Sequence, residues 1–233
     1  MSNRYKLKIK EITPNIDIES LYNKNCFYGI SINNPFTWGK HNKLLLEWIS
    51  QNFSNCIIII VDYLHRINEQ IFFNKNKDDA IEKSMLLGKL IENRFTEDMP
   101  NISSNKIKIV HWCDYIESNP KYQLYYNSLK STFKNDLNFQ SNIQYDSKLY
   151  VERLISRGES LFLSKEEAIH KSNLYILEEL ALISCLIENS YTISIYPGTQ
   201  LNILKELANG NFPDIDTNLN NGIYIDLTVK KIK

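Results

Sequence analysis

The segment from Cys56 to Val61, CIIIIV, constrains the fold of this chain more than any other. Its residues are almost all β-branched, and no polar residue alternates with them, which is typical of a strand buried on both faces. Strands of this kind occur in parallel sheets that carry helices on both sides. The run is far too short to cross a bilayer. It therefore predicts an α/β protein.

Strand-like and helix-like segments alternate along the rest of the chain, which favours a mainly parallel sheet flanked by helices in a single domain over residues 1–233. A capping box at Ser164 predicts the start of one helix. An Asn-, Asp- and Gly-rich loop is expected over 209–221. Further strands are predicted over Lys6 to Ile12, Cys26 to Ser31, Lys106 to Val110, Tyr191 to Tyr196 and, as an edge strand, Ile223 to Val229; helices are predicted over Lys43 to Ile49, Asp79 to Thr96, Pro120 to Phe133, Lys148 to Arg157, and from Ser164 to about Glu188 with an interruption near Lys171.

Charge and cysteine content exclude several classes of protein. The 27 basic and 27 acidic residues cancel, so a polyanion would have to meet a local basic patch. The cysteines are far apart and show neither CxxC nor Cys/His ligand spacing, so free thiols in a reducing cytosol are expected rather than disulfides or a metal site. The N-terminus lacks a signal-peptide core, and we expect a cytoplasmic protein. The four cysteines are Cys26, Cys56, Cys113 and Cys185.

Ser31 lies at the exit of a predicted buried strand, where α/β sheets bind their ligands. Asp62 and Tyr196 also fall at the ends of predicted strands. Ser31 is either a turn or helix-capping residue or a nucleophile. The run from Gly29 to Asn33 half-matches the nucleophile elbow GxSxG, with Asn33 in place of the second glycine.

A hydrolase would also need a histidine base for that serine. The chain has four histidines, and no sequence pattern connects any of them with Ser31. The hydrolase reading is therefore weakly supported. The four are His41, His65, His111 and His170.

Tyr175 and Glu179 are four residues apart in a strongly apolar predicted helix, so they share one face. A carboxylate buried there is costly unless a cation, such as one on a ligand, matches it. The alternative is that Glu179 is exposed and Tyr175 fills the core.

Together these two segments resemble the motifs of the cyclodipeptide synthases. That family has a first motif of His-x-two aliphatics-Gly-aliphatic-Ser, similar to the segment ending at Ser31, and a second of Tyr-aliphatic-x-x-Glu-x-Pro, similar to the segment from Tyr175. The chain length, the strand order and the pair Tyr196-Pro197, which marks the Tyr-Pro branch, also agree. Three positions depart: Asn25 stands where the family has His, Tyr28 where it has an aliphatic residue, and Ala181 where it has Pro.

The resemblance implies a Rossmann-like domain, similar to the catalytic domain of tyrosyl- and tryptophanyl-tRNA synthetases. It also implies an aminoacyltransferase that joins the aminoacyl groups of two aminoacyl-tRNAs into a diketopiperazine. No ATP, cofactor or metal is implied, and the sequence has no P-loop or GxGxxG. By this resemblance, Ser31 is the nucleophile of a ping-pong reaction. Glu179 and Tyr175 bind the ammonium of the aminoacyl group, and Glu179 also acts as base. Tyr196 forms a hydrogen bond near the ester, and Gly29 and Asn34 contact the substrate, although Asn34 also suits a turn.

The same resemblance implies tRNA binding by a basic helix, here Lys83, Lys89 and Arg94. Lys83 and Arg94 are eleven residues apart, close to three helical turns, so they align on one face. The alternative is an ordinary solvated helix face. We expect a monomer without membrane partners. Two rival functions remain: a serine hydrolase or acyltransferase, and a non-catalytic tRNA-binding relative of a synthetase domain.

Overall fold

One sheet of six strands, with helices on both faces, organises the residues that the computed structural model describes, which are 5–32, 40–98, 106–215 and 218–231. The strand order is β1-β6-β5-β2-β3-β4. β1 pairs antiparallel with β6, and the other neighbours are parallel. The mainly parallel α/β fold is thus confirmed. The strands are β1 (Tyr5–Thr13), β2 (Asn25–Ile30), β3 (Asn55–Ile60), β4 (Ile107–His111), β5 (Ile193–Tyr196) and β6 (Ile223–Lys231).

Helices fill most of the chain between these strands. The sequence did not predict α2, α4 or α8. In addition, α6 begins at Leu137 rather than Lys148, and α7 passes Lys171 without interruption. Two short 3-10 turns cover Ile18–Leu21 and Leu219–Asn221. The helices are α1 (Lys40–Asn52), α2 (Asp62–Phe73), α3 (Lys77–Asp98), α4 (Trp112–Glu117), α5 (Tyr122–Asn135), α6 (Leu137–Ser156), α7 (Lys165–Glu188) and α8 (Asn202–Ala208).

The central strand β3 is buried on both faces, as its β-branched sequence predicts. Alternate residues enter two separate cores, because successive side chains of a strand point to opposite faces. Ile57 and Ile59 pack with α2 and α5 to α8, whereas Ile58 and Ile60 pack with α1 and α3. We call these two sides the α7 face and the α3 face of the sheet.

The prediction that β6 is an edge strand is wrong. β6 lies between β5 and β1, and the N-terminal strand covers it from Tyr5, opposite Lys231, to Thr13, opposite Tyr224. Nothing in the local sequence of β6 reveals this, because the pairing joins the two ends of the chain.

Helix α7 begins as its capping box predicts. The hydroxyl of Ser164 accepts a hydrogen bond from the backbone N–H of Glu167, and the Glu167 carboxylate accepts one from the Ser164 N–H at 3.1 Å. The helix is apolar on almost every side and packs against several neighbours. Among the described residues, no helix is both long and apolar enough to span a membrane.

Candidate active site

Strand alternation places Gly29, Ser31 and Tyr196 on the α7 face of the sheet. Phe27 belongs to the core on that face, while its neighbours Cys26 and Tyr28 belong to the core on the α3 face. Ser31 lies four residues after Phe27, just beyond the end of β2. An even spacing puts its side chain on the same face as that of Phe27. In β5, Ser194 pairs with Phe27, so Tyr196 is next to Gly29 on the same face.

Tyr175 and Glu179 project from α7 towards the same region. Burial and then the nearby ionisable groups of Glu179, Tyr150 and Tyr196 raise the pKa of Tyr175 well above its ordinary value. Tyr175 also packs against the core of the α7 face, so the helix pair and the strand-end tyrosine lie on the same side of the sheet. The structure therefore brings together Tyr175, Glu179 and Tyr196, which the sequence singled out separately.

Glu179 and its neighbour Glu178 have different surroundings, although either could have been the functional carboxylate. Glu178 forms an ion pair with Arg66 at 2.6 Å. For Glu179 the structure records no such pair among the described residues. Part of Glu179 is reachable by water, yet burial, and then the charge of Asp146, raise its pKa to about 7. A group with this pKa can exchange a proton near neutral pH.

Helix α6 supplies two side chains that the sequence reasoning missed. Asp146 contributes to the raised pKa of Glu179, and Tyr150 contributes to that of Tyr175. The earlier residue of α6 is thus paired with the later residue of α7, as expected for antiparallel helices. Asp146 also caps α8, because its carboxylate oxygens accept from the backbone N–H groups of Asn202 and Ile203, each at 2.9 Å. The available signal was the four-residue spacing of Asp146 and Tyr150, which puts both on one helical face.

Ser31 is half-buried, and the described part of α1 begins at Lys40. A Cβ on Gly29 would meet Val61 Cγ2 at 3.8 Å, an ordinary contact. Asn34 lies outside the described residues.

The turn after β5 holds Tyr196 in place. A Cβ on Gly198 would lie 2.8 Å from Cε1 of the Tyr196 ring, so only glycine lets the ring fold over this turn. Gln200 braces the turn: its side-chain amide donates to the Ser194 carbonyl at 3.2 Å and its oxygen accepts from the Ser194 hydroxyl at 3.0 Å. The Gln200 backbone N–H donates to the buried Asp226 at 3.0 Å.

Asp62, the third residue predicted at a strand end, is the first residue of α2, and its side chain faces α3 rather than Ser31. Its carboxylate is fully buried and accepts from the backbone N–H groups of Tyr63 and Trp112. It lies 2.6 Å from Nδ1 of His111, and Nε2 of His111 lies 3.0 Å from Glu92 of α3. This Asp-His pair resembles part of a hydrolase triad, but Glu92 takes the position that a serine would need.

The predicted tRNA-binding residues Lys83, Lys89 and Arg94 are all exposed on α3. The whole helix has four basic and six acidic residues, so it is not basic overall. Between Lys83 and Arg94, however, the only carboxylate is Glu92, and it is paired with His111. The middle of α3 therefore carries a local positive charge.

The described residues contain no group of three or more His, Cys, Asp or Glu side chains that could hold a metal. The four cysteines are free thiols, and Cys113 is partly exposed while the other three are buried.

Known proteins match this chain in structure but not in sequence. No family model matches the sequence, and no curated protein matches it. A CDPS (cyclodipeptide synthase) from Fluoribacter dumoffii is similar, with a TM-score of 0.82 and 16% identity over 99% of this chain and 100% of that one. A cyclodipeptide synthase from Candidatus Glomeribacter gigasporarum bound to Phe-tRNAPhe matches with a TM-score of 0.65 and 16% identity over 91% of this chain and 90% of that one.

A Mycobacterium tuberculosis protein, whose structure relates cyclodipeptide synthetases to type I tRNA synthetases, matches with a TM-score of 0.68 and 14% identity over 92% of this chain and 88% of that one. The described chain has the Rossmann-like fold of the cyclodipeptide synthases, which is related to that of the class I tRNA synthetases.

Proposed function

We propose that this chain is a cyclodipeptide synthase of the Tyr-Pro branch, which joins the aminoacyl groups of two aminoacyl-tRNAs into a diketopiperazine. The observation that carries the proposal is the convergence of Tyr175, Glu179 and Tyr196 on the face of the sheet that bears Ser31. The end-to-end similarity in fold to cyclodipeptide synthases, one of them bound to Phe-tRNAPhe, supports the same function.

In the first step, the hydroxyl of Ser31 attacks the ester carbonyl of one aminoacyl-tRNA. A bond forms between Oγ and the carbonyl carbon, the bond to the tRNA ribose breaks, and the ribose oxygen takes up the proton that the serine loses. One ester replaces another, so the reaction needs no ATP.

Glu179 and Tyr175 hold the ammonium of the bound aminoacyl group. Without a ligand the pKa of Glu179 is about 7. A cation placed beside the carboxylate favours its ionised form and lowers that pKa. The raised value supports the proposal that the cation paired with this carboxylate arrives with the substrate.

In the second step, the amine of a second aminoacyl-tRNA, deprotonated by Glu179, attacks the aminoacyl-Ser31 ester. A peptide bond forms and the serine oxygen takes back a proton. The ammonium of the first residue then loses a proton to solvent, and the resulting amine attacks the ester carbonyl of the second residue. The bond to the second tRNA breaks, the ribose oxygen takes up the proton that the attacking nitrogen loses, and the ring closes. Tyr196 forms a hydrogen bond near the reacting ester, and Asn34 contacts the carbonyl groups of the dipeptide.

The middle of α3 binds the phosphates of both tRNAs through Lys83, Lys89 and Arg94. Because Glu92 is paired with His111, it does not oppose these cations. The protein as a whole carries no net charge, so the interaction depends on this local patch.

The test is to mix purified protein with one charged tRNA, without ATP, and to measure the mass of the intact protein. Wild type should gain one aminoacyl group, while Ser31→Ala should gain none. Ser141→Ala, which changes an exposed serine of α6, should behave as wild type. A serine hydrolase would release free amino acid without making diketopiperazine, and a non-catalytic tRNA-binding domain would bind tRNA without any change in mass.

A further inference from the structure

A buried chain of polar side chains connects the candidate site with α2. The hydroxyl of Tyr150 donates to Oδ1 of Asn68 at 2.9 Å, and the side-chain amide of Asn68 lies 3.2 Å from Nδ1 of His65. Nε2 of His65 lies 3.6 Å from Glu69, which pairs with Lys75 at 3.2 Å. Asn68, His65 and Glu69 are each more than nine-tenths buried.

The carboxylate of Glu69, 3.6 Å from Nε2 of His65, favours one direction for the hydrogen bonds from His65 to Tyr150. A neutral imidazole carries one proton, and a carboxylate opposite Nε2 selects the tautomer with that proton on Nε2. Nδ1 of His65 is then an acceptor, so the NH₂ group of Asn68 must face it. The amide oxygen of Asn68 consequently faces Tyr150 and accepts its proton.

Tyr150 therefore has no proton to offer the candidate site. A phenolic hydroxyl has one donor, which is committed to Asn68, and its oxygen remains an acceptor. Tyr150 and Tyr175 pack against the same core on the α7 face, where α6 lies on α7, so this oxygen lies in the neighbourhood of the candidate site. Tyr175 and Tyr196 are also electrostatic neighbours of Tyr150. An acceptor held in this way suits a donor that arrives with the substrate.

The substrate ammonium has three N–H donors, and a desolvated donor is costly unless it is hydrogen-bonded. Glu179 and Tyr175 account for two of these donors under the proposed function, on which this inference rests. We propose that Tyr150 binds the third N–H of the aminoacyl ammonium, with its hydroxyl oriented as an acceptor by the chain from Asn68 to Glu69.

The experiment compares two acyl groups on the same tRNA, an α-amino acid and the α-hydroxy acid of the same side chain, which has no ammonium. Transfer to Ser31 is followed in a single turnover by intact-protein mass. Tyr150→Phe should lower the efficiency of aminoacyl transfer by about 10- to 100-fold, as expected for a hydrogen bond to a charged group. It should leave hydroxyacyl transfer within about twofold of wild type, because that substrate lacks the donor. Tyr145→Phe makes the same change at a half-exposed position of α6 and should affect neither substrate.

Equal losses with both substrates, or no loss with the amino acid, would overturn the role of Tyr150. If wild-type protein transfers neither acyl group, the proposed function itself fails and this inference fails with it. The direction of the hydrogen bonds from His65 to Tyr150 can be measured separately, without substrate and without a variant. The imidazole ¹⁵N chemical shifts of His65 should show the proton on Nε2. A neutral ring protonated on Nδ1 would reverse the chain and contradict the inference.

Discussion

Glu179 occupies a position at which folding and its proposed function make opposite demands. Its carboxylate lies in an apolar helix beside Asp146, and its pKa in the folded protein, about 7, exceeds the ordinary 4.5. Ionisation therefore favours the unfolded chain, so the stability of the folded protein should fall as the pH rises from about 4.5 to about 7 and stay level above that. Lower stability of this kind is common where a charged group is kept for activity, as proposed for Glu179.

Glu179→Gln should consequently stabilise the protein at pH 8, by about 1–3 kcal/mol, because the amide has no charge to desolvate. At pH 4 wild type and variant should be nearly equal, since Glu179 is then protonated in both folded and unfolded states. Urea unfolding at the two pH values measures the difference. A variant that is less stable than wild type at pH 8 would show that the carboxylate is well compensated.

Tyr28 is a second residue with an unfavourable polar group. Its hydroxyl is fully buried and, among the described residues, has no hydrogen-bond partner. Tyr28→Phe should therefore stabilise the protein by about 1–3 kcal/mol, measured by urea unfolding at pH 7. Tyr125→Phe provides the contrast, since the Tyr125 hydroxyl bonds Glu188 at 3.0 Å and Asn218 at 2.8 Å, and should lower stability.

Among the helices, α3 depends on a close approach to the sheet at one residue. A Cβ on Gly88 would lie 2.6 Å from Cβ of Asp62 and 2.7 Å from its Oδ2. Asp62 cannot move aside easily, because it is fully buried and its carboxylate is bound by two backbone N–H groups and His111. Gly88 thus sets the distance between the proposed tRNA-binding helix and the sheet.

Gly88→Ala should destabilise the protein by about 1–3 kcal/mol, as expected for overpacking. In an exposed helix interior the same change stabilises by about 1 kcal/mol, so the sign separates the two cases. Asn93→Ala, on the exposed side of α3, is the control and should stabilise slightly. Chemical denaturation of both variants measures the effect, and a more stable Gly88→Ala protein would refute the close contact.

His111 connects α3 to the sheet in a pH-dependent way. Burial lowers its pKa, but hydrogen bonds to Asp62 and Glu92 outweigh this effect and raise the pKa above the ordinary 6.5. Its stabilising contribution is therefore complete below about pH 6.5 and is lost as the pH rises through the folded pKa.

His111→Gln should lower stability more at pH 6 than at pH 9, by about 3 kcal/mol at the lower pH, because Asp62 then keeps its buried charge without a cation. Thermal unfolding across this pH range measures the effect. A loss that does not change with pH would mean that His111 stays neutral in the folded protein.

At the scale of the whole molecule, zero net charge makes any interaction with tRNA depend on local charge. Replacing Lys83, Lys89 and Arg94 with alanine should weaken tRNA use and make the salt dependence shallower, by about 0.7 to 0.9 in log–log slope per lost phosphate contact. Activity measured against salt concentration gives this slope. The matched control replaces Lys6, Lys8 and Lys230, exposed lysines of β1 and β6 at the other edge of the sheet, and should keep the wild-type slope. Equal slopes for wild type and the α3 variant would exclude this helix from the interface.

The sequence alone determined the features that depend on residues close together in the chain. The β-branched run of β3 indicated a strand buried on both faces, and Ser164 with Glu167 indicated the start of α7, because both signals operate over a few residues. The same holds for Tyr175 and Glu179, which share a helical face at a spacing of four. That these residues act as proposed stays a prediction.

Only the tertiary structure decided what residues far apart in the chain do to one another. Packing of α6 on α7 buries Glu179 and brings Asp146 near it, and both effects raise the pKa of Glu179. A hydrogen bond to Asn68 of α2 holds the hydroxyl of Tyr150. The pairing of β1 with β6 turned a predicted edge strand into an interior one. Burial and charge act through space, and a sequence pattern records only distance along the chain, so these effects became visible only when the elements were packed together.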